Sequence, residues 1–551
     1  MGQRRSSPAP VKVFSARPSA PVLFPDTLMT GLSGETVSLR PSAAAGEGHR
    51  RPADGSAAET AGEADGACEE GGAGEEDEEA ALMGALELEI DPKREQFPPW
   101  LFGHPRGLFV LAATEVWERF GFYGMRSLLV LYMTQDLLLP GMKASVWGLS
   151  LFDRAGDTSS QMPASRIYGM YTSVAYLTPM LGGLLADRYL GRQRTVMIGA
   201  ALMSLGYFLL GAWPAAFLPT LMIIAFGSGA LKPNVSSQIG LMYDPADARR
   251  SAAFLIFYCA INLGAFMSPL VSGVLHATLG FRAGFYASSA AVALGLVQYA
   301  AGLRHLPPDR LLRDHRGSDT AEHGPARAPR TFGSLVRHHR ARLLAIAAVC
   351  VLTVGFWGVY EQQGNTLPVY ADQEVEMHLG RTRVPTEFVQ SINPLFIIGF
   401  TPLLSSLWKR QAQRGREPRS LTKMGIGCVV LACCYAWLTA CAWLAQLTGT
   451  KVGLPQLAIS IALATVGELY LAPVGLAFVS ETAPEELTAF VMGIWFVASS
   501  IGFYVCGALG TLYSSMPSSA FFAMLASIAA ANGVAMLLAR PLLQRLLLAS
   551  G

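Results

Sequence analysis

Apolar runs long enough to cross a bilayer recur from about residue 105 almost to the end of the chain. A spanning helix needs roughly 20 apolar residues, and every backbone polar group inside the hydrocarbon must be satisfied within its own segment. The runs predict twelve such helices, at 105–134, 165–187, 193–213, 216–238, 252–276, 282–303, 342–368, 388–408, 421–446, 455–478, 487–511 and 516–540. An all-α, polytopic membrane protein is therefore expected. Composition agrees, with 51% hydrophobic and 15% charged residues and a mean hydropathy of +0.35. The net charge of +2 says nothing of partners, and nothing points to nucleic acid. The eight cysteines show no metal-ligand spacing and read as small helix residues.

The first 95 residues differ. They are rich in Ala, Gly, Ser and Pro and end in an acidic patch, Glu75-Glu76-Asp77-Glu78-Glu79. Such a segment cannot bury enough apolar surface to offset its ordering entropy, so a disordered tail is expected. It lacks the apolar core of a signal peptide. Its start, Met1-Gly2-Gln3-Arg4-Arg5-Ser6, fits an acylation pattern, and its Arg- and Ser-bearing stretch fits an organelle-targeting peptide; a plain tail is preferred to either.

Charge in the connections sets the orientation. Arg188, Arg192 and Arg194 follow the second span, Arg249 and Arg250 the fourth, and Lys409, Arg410, Arg414, Arg416 and Arg419 the eighth. The longest polar break, an Arg-rich linker at 306–341, follows the sixth. By the positive-inside rule both termini face the cytoplasm. The break divides the chain into a first bundle at 100–305 and a second at 342–540, with a short tail at 541–551. Two six-helix bundles suggest the major facilitator fold, with a substrate site between the halves.

An ionisable group at mid-bilayer costs at least ~2.5–3.5 kcal/mol, which makes it a functional candidate. The first span holds Glu115, Glu118, Arg119, Tyr123 and Arg126, whose three- and four-residue steps return them to one helix face. That stripe cannot face lipid. Lys232 precedes Pro233, which is expected to kink its helix beside a cavity; close packing at Gly227 and Gly229 is the alternative. Asn262, Glu361, Asn393 and Glu468 interrupt later spans. Arg119, Arg126 and Lys232 leave the first half positive, whereas Glu361 and Glu468 leave the second negative. A cavity between the halves would suit a short zwitterion such as a peptide. An inorganic anion would be repelled by Glu468.

These stretches resemble the proton-dependent oligopeptide transporter family of the major facilitator superfamily, over residues 100 to 540. Glu115-Val-Trp-Glu118-Arg119-Phe120-Gly-Phe-Tyr123-Gly is similar to its first-helix motif. Gly182-Gly183-Leu-Leu-Ala-Asp187-Arg188, Lys232-Pro233-Asn234-Val235, Phe257-Tyr258-Cys-Ala-Ile-Asn262-Leu-Gly264, Glu468-Leu-Tyr-Leu-Ala-Pro473 and Gly493-Ile-Trp495-Phe496 resemble further family motifs in order.

The resemblance implies that Arg119, Arg126 and Lys232 attend a peptide carboxylate and the proton relay. Glu115 and Glu118 would take part in proton coupling with Arg119, Lys232 and Glu361. Asn262, Asn393 and Glu468 would hold the amino end, with Tyr123 and Tyr176 lining the pocket and Trp495 and Phe496 shaping its recesses. Arg126 with Glu361 would form an outer gate, and Asp187 with Arg188 would stabilise one state. The implied protein is a symporter importing di- and tripeptides by alternating access, driven by the proton gradient without a cofactor. A monomer in the plasma membrane is expected, an organelle membrane being the alternative. Phe122 and Ala472 depart from the usual Tyr and Ser, and Ile167-Tyr168-Gly169-Met170-Tyr171 lacks the histidine of mammalian members. Residues 306–341 leave no room for the two extra helices of many bacterial members. Left open are a carrier of nitrate, histidine or another metabolite, and a sensor that binds peptide without moving it. An enzyme is not expected, since the spans show no nucleophile–base or metal spacing.

Overall fold

The computed structural model describes residues 96–244, 247–309 and 332–548. The expectations for the tail at 1–95, for most of the linker and for the last three residues lie outside these residues.

Twelve long helices follow one another: α1 Arg106–Tyr132, α2 Gln161–Leu185, α3 Arg192–Ala212, α4 Phe217–Leu241, α5 Arg249–Leu279, α6 Phe281–Gly302, α7 Arg340–Tyr360, α8 Val389–Gln413, α9 Ser420–Thr448, α10 Leu454–Thr482, α11 Thr488–Gly510 and α12 Ser518–Leu548. Among the described residues, ten helical segments are long and apolar enough to cross a membrane by length and composition. The two long helices outside that set are α1 and α2. The first carries the charged stripe, and the second holds several hydroxyl-bearing residues. Both are buried within the bundle on many sides, so their polar groups are shielded by neighbouring helices.

The helices sort into halves by packing. α1 lies against α5 and α6, α3 against α4 and α6, and α2 against α4. In the second half α9 packs on α10 and α12, and α7 on α11 and α12. The halves meet where α2 crosses α11 and where α5 crosses α8. This is the two-bundle arrangement of the major facilitator fold. Since successive helices cross the bundle, the basic connections after α2, α4 and α8 share one face, here called the basic face.

Glycine sets the closest approaches. A Cβ on Gly182 of α2 would lie 2.1 Å from the Gly229 carbonyl oxygen of α4. Gly227 and Gly199 meet in the same way across α3 and α4. Close packing is thus the use of the α4 glycines, and α4 stays helical through Pro233.

Two other boundaries differ from expectation. The seventh span is not continuous over 342–368. α7 ends at Tyr360, a 3-10 turn covers Glu361–Gln363, and a half-helix resumes at Thr366–Glu374. Side chains take over at the break. Gln362 Nε2 and Asn365 Nδ2 donate to the Cys506 carbonyl of α11 at 2.8 and 3.3 Å. The twelfth helix continues through Pro541 to Leu548, because Leu542, Leu543 and Leu546 prolong its apolar pattern.

Candidate functional site

The charged stripe of α1 folds as the helical period requires. Arg119 Nε is 3.0 Å from Glu115 Oε1, one turn back, and its Nη2 contacts Glu118. All three residues are buried. Such charges are tolerated only when they neutralise one another. Gly264 of α5 makes room for them: a Cβ there would lie 2.5 Å from the Val116 carbonyl oxygen and 2.8 Å from the Arg119 Cβ.

Lys232 reaches the stripe from α4. Its Nζ stands 4.1 Å from the centre of the Phe122 ring, and the Arg119 guanidinium lies 5.4 Å from the same ring. Phe122 thus shares its π-face between two cations.

Farther along α1, Arg126 Nη2 is 2.5 Å from Glu361 Oε1 in the turn after α7. The Tyr168 hydroxyl of α2 accepts from Arg126 Nε and donates to Glu361 Oε1, both at 3.2 Å. The triangle joins the halves. Gly364 completes it, since a Cβ there would lie 2.0 Å from the Tyr168 hydroxyl and 2.8 Å from Arg126 Nη2. Other links across the halves lie away from the basic face. Ser165 Oγ donates to Asn365 Oδ1 at 2.9 Å, Gln135 Nε2 donates to Asp372 Oδ2 at 2.9 Å, and Gly169 lies against Gly507.

The second-half wall centres on Glu468 of α10. It accepts from the Tyr360 hydroxyl and, at 3.1 Å, from Asn393 Nδ2, which also meets Thr465 Oγ1 at 2.9 Å. Tyr123 stands between the two walls, in the fields of Arg119 and Arg126 on its own helix and of Glu468 and Glu361 from the second half. Tyr176 packs edge-on against Phe503 at 4.2 Å, and Trp357 touches both Phe503 and Tyr360.

Some expected residues sit differently. Asn262 donates to the Tyr258 carbonyl of its own helix at 2.9 Å. Trp495 is buried against Gly475 and supports the wall from behind, with Phe496 partly buried beside it. Asp187 pairs with Arg192 at 3.2 Å within the turn between α2 and α3, while Arg188 is exposed. The linker residue Asp309 accepts from the Gln193 backbone N–H at 2.7 Å and closes the start of α3. Tyr168, Tyr360, Trp357 and Asp309 were not singled out from sequence. Among the described residues no cluster of three or more His, Cys, Asp or Glu could hold a metal ion.

The family model described as POT family matches residues 193–315 and 334–545. The chain belongs to the POT family. Similar proteins include an uncharacterized transporter, YclF, of Bacillus subtilis, 30% identical over 81% of this chain and 95% of that protein. The peptide transporter YePEPT of Yersinia enterocolitica is 31% identical over 74% of this chain and 88% of that one. Among solved structures, a POT peptide transporter in complex with alafosfalin superposes with a TM-score of 0.69 at 29% identity, covering 82% of this chain and 99% of that one. The protein is thus a multi-pass membrane protein of a peptide transporter family.

Proposed function

We propose that this protein is a proton-coupled symporter that imports di- and tripeptides by alternating access, working as a monomer with both termini in the cytoplasm of the plasma membrane. The observation that carries the reading is the position of Tyr123, in the fields of Arg119 and Arg126 from the first half and of Glu468 and Glu361 from the second; Lys232 joins the first group through Phe122, and Asn393 the second through Glu468. A peptide carboxylate takes the Lys232 ammonium, and its ammonium takes the Glu468 oxygens now held by Tyr360 and Asn393. Names of relatives such as YePEPT support peptide as the cargo.

Charge neutrality supplies the coupling. Glu115 and Glu118 balance Arg119 and Lys232, and Arg126 balances Glu361, so Glu468 leaves the empty site with one net negative charge. A zwitterionic peptide does not change that total, and one proton cancels it. Occlusion of an uncompensated charge costs several kcal/mol, so the halves close readily only around peptide and proton together. Protonation of Glu115 or Glu118 compensates the peptide carboxylate at Lys232. The links at Arg126–Glu361, Ser165–Asn365 and Gly169–Gly507 represent the closed outer gate. A proton crossing 100 mV releases ~2.3 kcal/mol, and one pH unit adds ~1.4 kcal/mol. Their sum supports roughly a few-hundred-fold accumulation of a neutral peptide.

The test is uptake of labelled dialanine into proteoliposomes. An acid-outside gradient should drive accumulation, and collapse of the gradient should abolish it. Uptake indifferent to the gradient would sink the proposal. Nitrate should not compete, because Glu468 repels it.

A further inference from the structure

The seam between α5 and α8 holds a charged pair not used above. His276 lies in the last turn of α5, and Glu387 in the 3-10 turn Thr386–Phe388 that leads into α8. His276 Nδ1 is 2.6 Å from Glu387 Oε1, so the contact spans the two halves. The Glu387 side chain is 1% exposed and the imidazole 25% exposed. The imidazole stacks on Phe281 with ring centres 3.7 Å apart. One turn earlier, Gly273 brings the α5 backbone so close that a Cβ would lie 3.0 Å from Pro385 and 3.1 Å from Phe388. Ser391 Oγ donates to the Phe266 carbonyl at 2.8 Å along the same seam. The pair is therefore made only while the halves touch at the end of the bundle away from the basic face.

A carboxylate with so little water needs a charged or strongly donating partner. Its partner here is an imidazole, which is charged only when it holds a second proton, and that ring reaches solvent. We propose that His276 and Glu387 form a proton-dependent clasp. It holds the outer gate shut while the imidazole is charged and frees it when the imidazole loses its proton. The clasp rests on the alternating-access reading and adds a gating pair separate from the coupling carboxylates of α1. Neither residue touches peptide; both act by positioning α5 against α8.

Other charges face this corner from each packed element. Arg282 is exposed beside Phe281 at the start of α6, and Asp136 follows the end of α1. Asp372 on the half-helix is held by Arg383 at 3.3 Å and by the Thr386 hydroxyl at 3.1 Å. Arg282 and Asp136 act with opposite sign on the neighbouring Tyr132 and Asp372 is already held, which leaves Glu387 as the direct partner of His276. Closing this face then takes up a proton from the solution on the same side, so acid favours closure and alkali favours opening.

The test is dialanine exchange in proteoliposomes with equal peptide and equal pH on both sides, between pH 5.5 and 8. The coupling carboxylates affect every variant alike, so the ratio of native to His276→Gln exchange isolates the clasp. That ratio should rise about fivefold or more from acid to alkaline pH. Glu387→Gln should behave as His276→Gln does, and His276→Lys should restore the clasp yet keep exchange slow at every pH. A ratio independent of pH overturns the clasp while leaving peptide transport standing. A second readout needs no substrate. Spin labels at Leu279→Cys and Leu379→Cys, with Cys68, Cys259, Cys433 and Cys441 replaced by Ser, report the seam directly. Their separation should lengthen with rising pH in the native background and stay short in His276→Lys. A separation indifferent to pH in both overturns the clasp, even should dialanine prove not to be a substrate.

Discussion

Replacing Glu361 by Gln removes one partner of the link between α1 and the break after α7. The two side chains are 17% and 6% exposed when paired. Loss of one partner of a buried pair costs about 3–5 kcal/mol. Arg126 keeps the Tyr168 oxygen at 3.2 Å and some water, which places this case near the lower end, at about 3 kcal/mol. The penalty falls on the closed outer gate alone, because an open gate returns Arg126 to water. At 1.4 kcal/mol per factor of ten, the open form gains roughly a hundredfold. Spin labels at Leu151→Cys and Leu379→Cys, on loops of the two halves, in the same background without Cys68, Cys259, Cys433 and Cys441, would read this as a longer distance. Dialanine uptake should fall with it. The double variant Arg126→Gln with Glu361→Gln leaves no stray charge, so it should close better than Glu361→Gln alone. An unchanged distance in Glu361→Gln, or a double variant more open than the single, would refute the reasoning.

Glu118→Gln should abolish accumulation of dialanine under an acid-outside gradient while leaving gradient-free exchange measurable; accumulation at the native level would remove Glu118 from the coupling. Gly169→Val should reduce uptake at least tenfold, because even a Cβ would meet the Gly507 Cα at 2.6 Å, whereas Gly183→Val, with open space around it, should transport normally. Near the basic face, His104 Nδ1 lies 2.8 Å from the Tyr243 hydroxyl, and burial, then the Arg249 charge, hold its pKa below the ordinary histidine value. The unfolded chain therefore binds the proton more readily, so this contact stabilises the protein above about pH 6.5 and is lost as pH falls through the lower folded value. Melting temperatures of native protein and His104→Gln should converge as pH is lowered from 7.5 to 5, and parallel curves would contradict this.

The apolar runs and the charges within them carried most of the architecture. Glu115, Glu118 and Arg119 stood out because their presence in a spanning helix needs a reason, and their spacing places them on one face. That signal also marks α1 as a member of the bundle although its charges lower its hydropathy. The break after α7 was missed although Glu361-Gln362-Gln363-Gly364-Asn365-Thr366 interrupts the apolar run, because a span was drawn across it to Leu367 and Pro368; in the fold Arg126 and Tyr168 crowd Gly364 at that point. Tyr168 and Tyr360 were given no role from the sequence. Tyr168 meets Glu361 across the two halves, and Tyr360 meets Glu468 on another helix 108 positions away, so local pattern could not assign them a role. His276 fell at the edge of its predicted span, and only the fold brings Glu387 to it.

The most direct measurement pairs two protein variants with two blocked ligands in equilibrium binding. Glu468→Gln should weaken dialanine at least tenfold and leave N-acetyl-dialanine unaffected, whereas Lys232→Gln should weaken dialanine and leave dialanine amide unaffected. Equal losses for free and blocked peptides in both variants would contradict a grip shared between the two halves.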